Sequence, residues 1–471
     1  MDAPRFAALL RDWRQTSPDA PLYGRLAAAF RGAIESGSLR PAEQLPAERH
    51  LAALLGVSRS TVVAAYDDLA LGEWVTRRRG SGTHVGAAAP RRAEVLTLRT
   101  PAAVAQTADE LDFTIAVPLL TERHRAEMLA AAAHSFSESL YYPLGLPDLR
   151  ALLAERYTQG GLPTTPEQVI VTSGAQQAIA LVTATFLQRG DTALLETPTY
   201  FGAIDVFRAA GAELVGVPVG AEGVRPDDFH RLLEQHRPRL TFLTPTFQNP
   251  TGAVLSAAGR QQVAQSVADL RCPTIEDDTL AELDFGLEPP PRLAAFAPDA
   301  PIINVGSLTK LYWAGLRVGW MRVPHEWHSV LVQAKTLADF GGSLPTQHIA
   351  LSLLQDLPRL KAERRAEVQP ARDLLAALLR EQLPDWTFRQ PQGGQYLWVE
   401  LPTLRASSFT YYAARYGVRL FPGASMGVGD IPDSFLRLPF TLAPAHLPEA
   451  VARLRAAWQD FSSRSGQERL A

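Results

Sequence analysis

In the first ninety residues, apolar positions recur at helical spacing in three short runs. Leu22, Leu26, Phe30, Ala33 and Ile34 form one face of LYGRLAAAFRGAIE, and Gly37 ends the pattern. AERHLAALLGV turns Leu51, Leu54 and Leu55 inward and stops at Gly56. Ser58 is placed to cap a third helix, on which Val62, Tyr66, Leu69 and Ala70 form the apolar face. The short turn between the second and third runs predicts a helix-turn-helix. Trp74 and Val75, the basic Gly-containing stretch after them, and Thr83-His84-Val85 predict a hairpin, or wing. Residues 87–110 hold no sustained period and read as a linker. From 111 the pattern changes. VIVTSG, TALLET, ELVGVPV, LTFLTP, CPTIEDD and PIINVGS are short apolar or β-branched runs, most of them separated by amphipathic helical stretches. That alternation predicts an α/β fold with a mixed, mainly parallel sheet and helices on both faces. A long helical run, LKAERRAEVQPARDLLAALLREQL, then leads to TFRQPQGGQYLWVEL and FLRLPF, strand-like pieces of a smaller C-terminal subdomain over about 341–471. The expected organisation is a first module over 1–86, a linker over 87–110 and a body over 111–471.

Composition narrows the class. The chain has 471 residues, 46% hydrophobic and 20% charged, which fits a soluble globular protein of several folding units. It lacks the uninterrupted apolar run a membrane span requires, and MDAPRFAALLRDWRQ carries acids where a secretory signal needs an apolar centre. A cytoplasmic protein is expected. The single cysteine, Cys272, excludes an internal disulfide and a cysteine-based cluster, and no metal is expected. The net charge is −3, but residues 20–92 hold ten Arg against six acids, a balance of +4 that leaves −7 for the rest. A basic module on an acidic body points to a polyanion partner for the module alone.

Lysine is scarce: Lys310, Lys335 and Lys361 are all there are. Lys310 follows the run IINV in a loop of small residues, where an amine can form a Schiff base with an aldehyde cofactor. A pyridoxal phosphate site needs more. A carboxylate must sit against the ring nitrogen, and Asp277 and Asp278 end CPTIEDD. The phenolic oxygen needs a donor, which Asn249 in QNPTG supplies from a turn. The phosphate needs a helix N-terminus, and SGAQQAIALV provides Ser173, Gly174, Ala175 and Gln176. Arg317 adds a two-pronged guanidinium, and Tyr200 in ETPTYFG adds a ring to stack. Each feature alone also reads as ordinary structure: a capping acid, a turn asparagine, a helix start, a packed tyrosine. Together they stand at predicted strand ends, where sites of open α/β sheets form.

Residues 111–471 resemble a fold-type I, class I/II aminotransferase through SGAQQA, TPTY, QNPTG, the acidic pair, SLTK and LRVGW. Spacings of 28 residues from Asn249 to Asp277, 33 from there to Lys310 and 7 to Arg317 agree with that family. The resemblance implies that Lys310 is the catalytic, Schiff-base lysine and Asp277 the pyridinium partner. Asn249 would donate to the ring oxygen, and Tyr200 would stack on the ring. Ala175, Gln176, Ser307 and Arg317 would cradle the phosphate. Arg437 would pair with a substrate or effector carboxylate. Tyr141 or Tyr142, in YYPLGLPDLR, would reach the neighbouring subunit's phosphate site. One departure stands out: relatives carry a tyrosine shortly after the aspartate, where this chain reads Asp278-Thr279-Leu280. Cofactor binding is expected to survive and transamination to be weakened.

Residues 20–86 resemble the GntR-type winged helix-turn-helix over QLPAERHLAALLGVSRSTVVAAYDDLALGEWV and RRRGSGTHV. The implied DNA contacts are Ser58, Arg59, Ser60 and Thr61 at the recognition-helix N-terminus, Arg49 on backbone phosphate, and Arg77, Arg78, Arg79 and Gly82 in the wing. The fusion is similar to MocR-type GntR regulators. That resemblance implies a homodimer on a double-stranded DNA operator, with pyridoxal 5'-phosphate in the body and an amino acid, or the cofactor itself, as effector. The competing expectation is an active aminotransferase of amino acids with an accessory DNA-binding domain.

Overall fold

The computed structural model describes the chain apart from residues 1–4, 7–8, 11–12, 15–20, 36–37, 40–41, 73, 79–81, 87–109, 119, 121, 138–140, 430 and 468–471. The expected linker and Arg79 of the expected wing therefore lie outside the described residues, and Arg78 is described in its backbone only. Two compact units form. One takes Met1–Ile115, Leu374–Phe388 and Trp398–Ala471, the other Ala116–Asp373 and Arg389–Leu397.

The second unit is built on an eight-stranded sheet in the order Val169–Thr172, Gly319–Arg322, Ile302–Ser307, Thr274–Asp277, Leu240–Leu243, Thr192–Thr197, Glu213–Gly220, Gly223–Val224. The six apolar runs of the sequence are six of these strands. Ile302–Ser307 through Glu213–Gly220 run parallel. Central strands such as Leu240–Leu243 and Ile302–Ser307 are buried at every position, because helices cover both faces. Gly319–Arg322, which begins within the motif LRVGW, is antiparallel to both neighbours. Two antiparallel pairings in succession restore direction, so Thr172, Thr197, Leu243, Asp277 and Ser307 all end at one edge of the sheet. Gly319 has no room for a side chain: a Cβ there would stand 2.7 Å from the Gly174 carbonyl carbon and 2.8 Å from Gly306 O.

The first unit holds the N-terminal module. Its helices are Leu22–Glu35, Glu48–Leu55 and Arg59–Leu71, and its hairpin pairs Val75–Arg78 with Gly82–Val85. Leu26, Phe30, Leu51, Val62, Tyr66, Leu69 and Trp74 are buried together. Leu22, expected inward, is 44% exposed in the first turn of its helix. Gly56 ends the second helix at φ 63°, a left-handed conformation that glycine adopts without Cβ strain. Two residues later Ser58 starts the third helix, its Oγ accepting the Thr61 N–H at 3.1 Å.

The same unit holds most of a C-terminal lobe: a sheet ordered Thr387–Phe388, Tyr396–Glu400 (of which Trp398–Glu400 fall in this unit), Phe435–Pro439, Phe421–Pro422, with helices Ala406–Ala414 and Leu447–Gln467. Trp386, Phe409, Trp458 and Phe461 interlock edge to face within it. The expected start of the lobe near 341 differs from this division. Helix Leu344–Gln355 and residues up to Asp373 belong to the second unit, because Ile349, Ala350, Leu353, Leu354 and Leu360 pack with Leu149, Leu153 and Leu308.

Module and lobe meet through the recognition helix. Asp68 is buried there between Arg31 Nη1 of the module at 2.7 Å and Arg405 Nε of the lobe at 3.0 Å. The Tyr411 ring packs edge to face on Trp74 at 5.3 Å. Among the described residues no helix is long and apolar enough to cross a membrane.

Candidate cofactor site and nucleic-acid interface

The strand edge gathers the expected cofactor residues of the second unit. Lys310, three residues past the end of Ile302–Ser307, donates from Nζ to Ala116 O at 2.9 Å, and its own carbonyl accepts from Gln395 Nε2 at 2.9 Å. The chain thus holds both the amine and its backbone. Asp277 ends its strand in a buried position, and burial pushes its carboxyl up to about 6. The Thr279 N–H, donating to Oδ1 at 2.9 Å, pulls the other way, as does Lys310. The family resemblance places a tyrosine two or three residues past Asp277, where this chain has Thr279 and Leu280. Here Thr279 steadies the carboxylate, a role that its type alone did not reveal.

Asn249 is buried in the turn after Leu240–Leu243, and its Oδ1 has no hydrogen-bond partner. An amide left unsatisfied inside a folded turn is costly unless a ligand answers it. Its neighbour Gln248 is fully engaged. Nε2 donates to Glu196 Oε2 at 3.1 Å and to Pro198 O at 2.7 Å, while Oε1 accepts from the Thr251 N–H and hydroxyl. Burial pushes the Glu196 carboxyl up to about 8, against the pull of Gln248 and the Thr244 N–H. Tyr200, at the start of Phe201–Ala209, donates to Gln176 Oε1 at 2.9 Å, and Gln176 Nε2 donates to Gly202 O at 3.0 Å. These bonds tie the expected stacking ring to the expected phosphate-binding turn.

That turn is the N-terminus of Ala175–Phe186. Gly174 enters it at φ 115°, and a Cβ on Gly174 would stand 3.1 Å from Arg317 Nη2. A guanidinium this close to the N–H groups of a helix N-terminus suits a dianion. Ser307 donates to Val318 O at 3.0 Å and accepts the Thr309 N–H, bracing the loop that carries Lys310 and Arg317. The Gly174 cradle beside Arg317 and the buried Asp277 fit pyridoxal phosphate, while the orphaned Asn249 atom is Oδ1, an acceptor, and does not itself answer the ring oxygen. Arg437 belongs to the first unit. It is buried on Phe435–Pro439, donates to Thr114 O at 2.7 Å and stands 4.4 Å from the Phe421 ring centre.

In the module, Arg49, Ser58, Arg59, Ser60, Arg77 and Gly82 are exposed and Thr61 is half-buried. Arg59 pairs with Glu48 at 3.0 Å and Arg77 with Asp67 at 2.5 Å. Both cations are thus paired with acids of their own module while keeping exposed N–H donors. Sequence reading missed these pairs.

Fold and site define a DNA-binding module joined to a pyridoxal-phosphate-binding body of the aminotransferase type. Comparison with known proteins supports both halves. The family of class I and II aminotransferases matches residues 108–454, and that of bacterial regulatory proteins of the gntR family matches residues 22–85. A 2-aminoadipate transaminase of Thermus thermophilus is 34% identical over 78% of this chain and 94% of its own length. A probable rhizopine catabolism regulatory protein, MocR, of Rhizobium meliloti is 28% identical over 94% of this chain and 95% of its own. The crystal structure of LysN, an α-aminoadipate aminotransferase of Thermus thermophilus complexed with N-(5'-phosphopyridoxyl)-L-leucine, superposes with a TM-score of 0.70 at 31% identity, over 76% of this chain and 94% of that one. The chain belongs to the class I and II aminotransferases and, through the module ahead of that body, to the MocR-type GntR regulators.

Proposed function

We propose that the protein is a transcriptional regulator that binds operator DNA through Ser58–Thr61, Arg49 and the wing, and that its body holds pyridoxal phosphate at Lys310 to sense an amino acid or the cofactor itself. When bound, the cofactor supplies an aldehyde that captures primary amines and a ring that draws electrons toward its protonated nitrogen. The chain does the rest. Lys310 offers the amine, Asp277 holds the proton at the ring nitrogen, and Asn249 meets the ring oxygen. Tyr200 covers one ring face. Gly174, Ala175, Gln176, Ser307 and Arg317 receive the phosphate. By the resemblance, Arg437 takes the effector's carboxylate, which favours an amino acid over the cofactor as signal. Tyr141 is 82% exposed beside Phe340 and the exposed Leu337, an apolar patch suited to the second copy of a homodimer.

The observation that carries this reading is the exposed recognition-helix N-terminus on the same chain as the buried Asp277 and the Lys310 loop. Aminotransferase activity is the second reading, favoured by the buried Arg437; Thr279 in place of the tyrosine counts against full activity. Two variants of the purified full chain test the regulator. Lys310→Ala should lose the visible absorbance of bound cofactor on dialysis and, with it, ligand-dependent operator occupancy. Arg59→Ala should keep the colour and lose the operator. A Lys310→Ala protein that stays coloured and responds unchanged would overturn the reading.

A further inference from the structure

Gln177 stands at the third position of helix Ala175–Phe186, next to the turn proposed for the phosphate. Its side chain joins two distant elements. Oε1 accepts the Ser173 N–H at 2.8 Å, just ahead of that helix, and Nε2 donates to Asp339 Oδ2 at 2.8 Å, 162 residues further along the chain. Asp339 ends helix His328–Asp339. Its Oδ1 accepts from the Gly341 N–H at 3.0 Å and from Lys335 Nζ, one helical turn back. Lys335, one of only three lysines, has a wholly buried side chain, and its Nζ also reaches Pro143 O at 3.5 Å.

The polarity of this run of bonds is fixed from the Asp339 end. A carboxylate only accepts, so Asp339 takes the Gln177 amide nitrogen and leaves the amide oxygen for Ser173. Burial raises the Asp339 carboxyl, but Lys335, Gln177 and the Gly341 N–H outweigh it and hold it below its ordinary value. The buried ammonium cancels the charge of the ionised acid. That cancellation matters beside a dianion site, where an unanswered carboxylate would repel the phosphate. The helix end that carries Asp339 is closely packed: a Cβ on Gly341 would stand 2.9 Å from Tyr142 O.

The turn needs such a brace. Gly174 enters it at φ 115°, in a region open to glycine, and glycine holds no single conformation by itself. Thr172 Oγ1, donating to Gly174 O at 3.0 Å, fixes the turn on one side, and Gln177 on the Ser173 N–H fixes it on the other. The first N–H groups of the helix, which have no acceptor inside it, are then set in place before any ligand binds.

We propose that Gln177, Asp339 and Lys335 are positioning residues for the cofactor's phosphate: the Lys335–Asp339 pair orients the Gln177 amide, which locks the Ser173–Gly174 turn before the phosphate arrives. This deepens the cofactor reading and rests on it. The three side chains act only through the turn, so their effect is confined to ligands that carry the phosphate.

The test compares two aldehydes on the full chain freed of cofactor: pyridoxal 5'-phosphate, and pyridoxal, which lacks the phosphate. Both are titrated by visible absorbance. Gln177→Leu should weaken pyridoxal phosphate about tenfold, the worth of a hydrogen bond to a charged group, and pyridoxal less than about twofold. Lys335→Met/Asp339→Leu exchanges the ion pair for apolar side chains and strands no charge, so the fold should survive; it should reproduce the loss seen in Gln177→Leu. The triple variant should be no weaker than Gln177→Leu, since all three residues act through one bond. Equal weakening of both aldehydes would make the residues merely structural and overturn the proposal. So would unchanged affinity for pyridoxal phosphate in Gln177→Leu, or losses that multiply in the triple variant. Failure of the cofactor reading itself shows elsewhere: the unsubstituted chain would take up neither aldehyde, and the proposal would fall with it.

Discussion

Asp68→Ala should loosen the recognition helix far more than its single charge suggests. The Asp68 side chain is 4% exposed, while those of Arg31 and Arg405 are 17% and 16% exposed. Removing one member of a buried ion pair costs about 3–5 kcal/mol, chiefly because the other charge is stranded. Here two guanidiniums are stranded, but both retain some access to water, so the low end, about 3 kcal/mol, applies. At roughly 1.4 kcal/mol per decade, that is about a hundredfold in the local opening equilibrium. Amide hydrogen exchange in the native state reads that quantity directly. Peptides covering Val62–Leu71 should lose about a hundredfold of protection in Asp68→Ala. Helix Ala406–Ala414 should lose protection with them, because Arg405 and Tyr411 hold it to the module. Arg59→Ala, at the other end of the same helix, is the control. Its side chain is 58% exposed and paired with Glu48, and such surface pairs contribute about 0–1 kcal/mol. Its protection should change by less than about fivefold while operator affinity falls. If Asp68→Ala changed protection less than about threefold, the buried triad would not be what holds the helix, and the reasoning would be refuted.

Three further outcomes are expected. Gly319→Ala should lower the melting temperature and abolish added stabilisation by cofactor, since the new Cβ meets only backbone and overpacking costs about 1–3 kcal/mol; an unchanged cofactor-dependent shift in thermal unfolding would contradict the crowding at Gly174. The folded-state value of about 6 for Asp277 exceeds its ordinary 3.8, so the cofactor-free chain binds the extra proton and loses stability as pH rises between these values. The protonated ring nitrogen pairs with the ionised form, so cofactor affinity should climb as pH rises through about 6 and then level off; Asp277→Asn should flatten that climb in a pH series of binding titrations. Cys272, whose thiol burial pushes up to about 12, should resist a thiol-specific reagent at neutral pH until denaturant is added, and rapid labelling of the native chain would contradict its burial.

The strand ends were legible in the sequence because a strand buried on both faces writes a continuous apolar run, and the residues after each run are those that face the site. VIVT, LTFL, TIED and IINVGS all stand as strands. Gly319–Arg322 escaped notice because it is only four residues long and starts within a loop-like motif, and antiparallel insertion into a parallel sheet leaves no local period. Asp68 and Asp278 were legible as acids but not as buried ones. Their cations come from distant parts of the chain, Arg31 and Arg405 for one and Arg292 for the other, and periodicity carries no information about such meetings. Leu22 erred the other way: spacing placed it on the apolar face, but the first helical turn lies at the rim of its core. The lobe boundary near 341 was drawn from a change of pattern, whereas packing of Ile349, Leu353 and Leu360 decided it.

On the proposed reading, helix Arg59–Leu71 meets DNA with one end, and it is anchored to the lobe by the other. Its 13 residues span about 20 Å, so a tilt of about 3° at the anchored end sweeps the reading end by about 1 Å. That displacement exceeds the range within which a hydrogen bond to a base edge survives. The anchoring lobe also carries Arg437, so leverage works in both directions. If a small molecule regulates the protein as proposed, thermodynamic reciprocity makes the operator itself an effector: whatever affinity that molecule adds to or takes from DNA binding, DNA must return to it in equal measure.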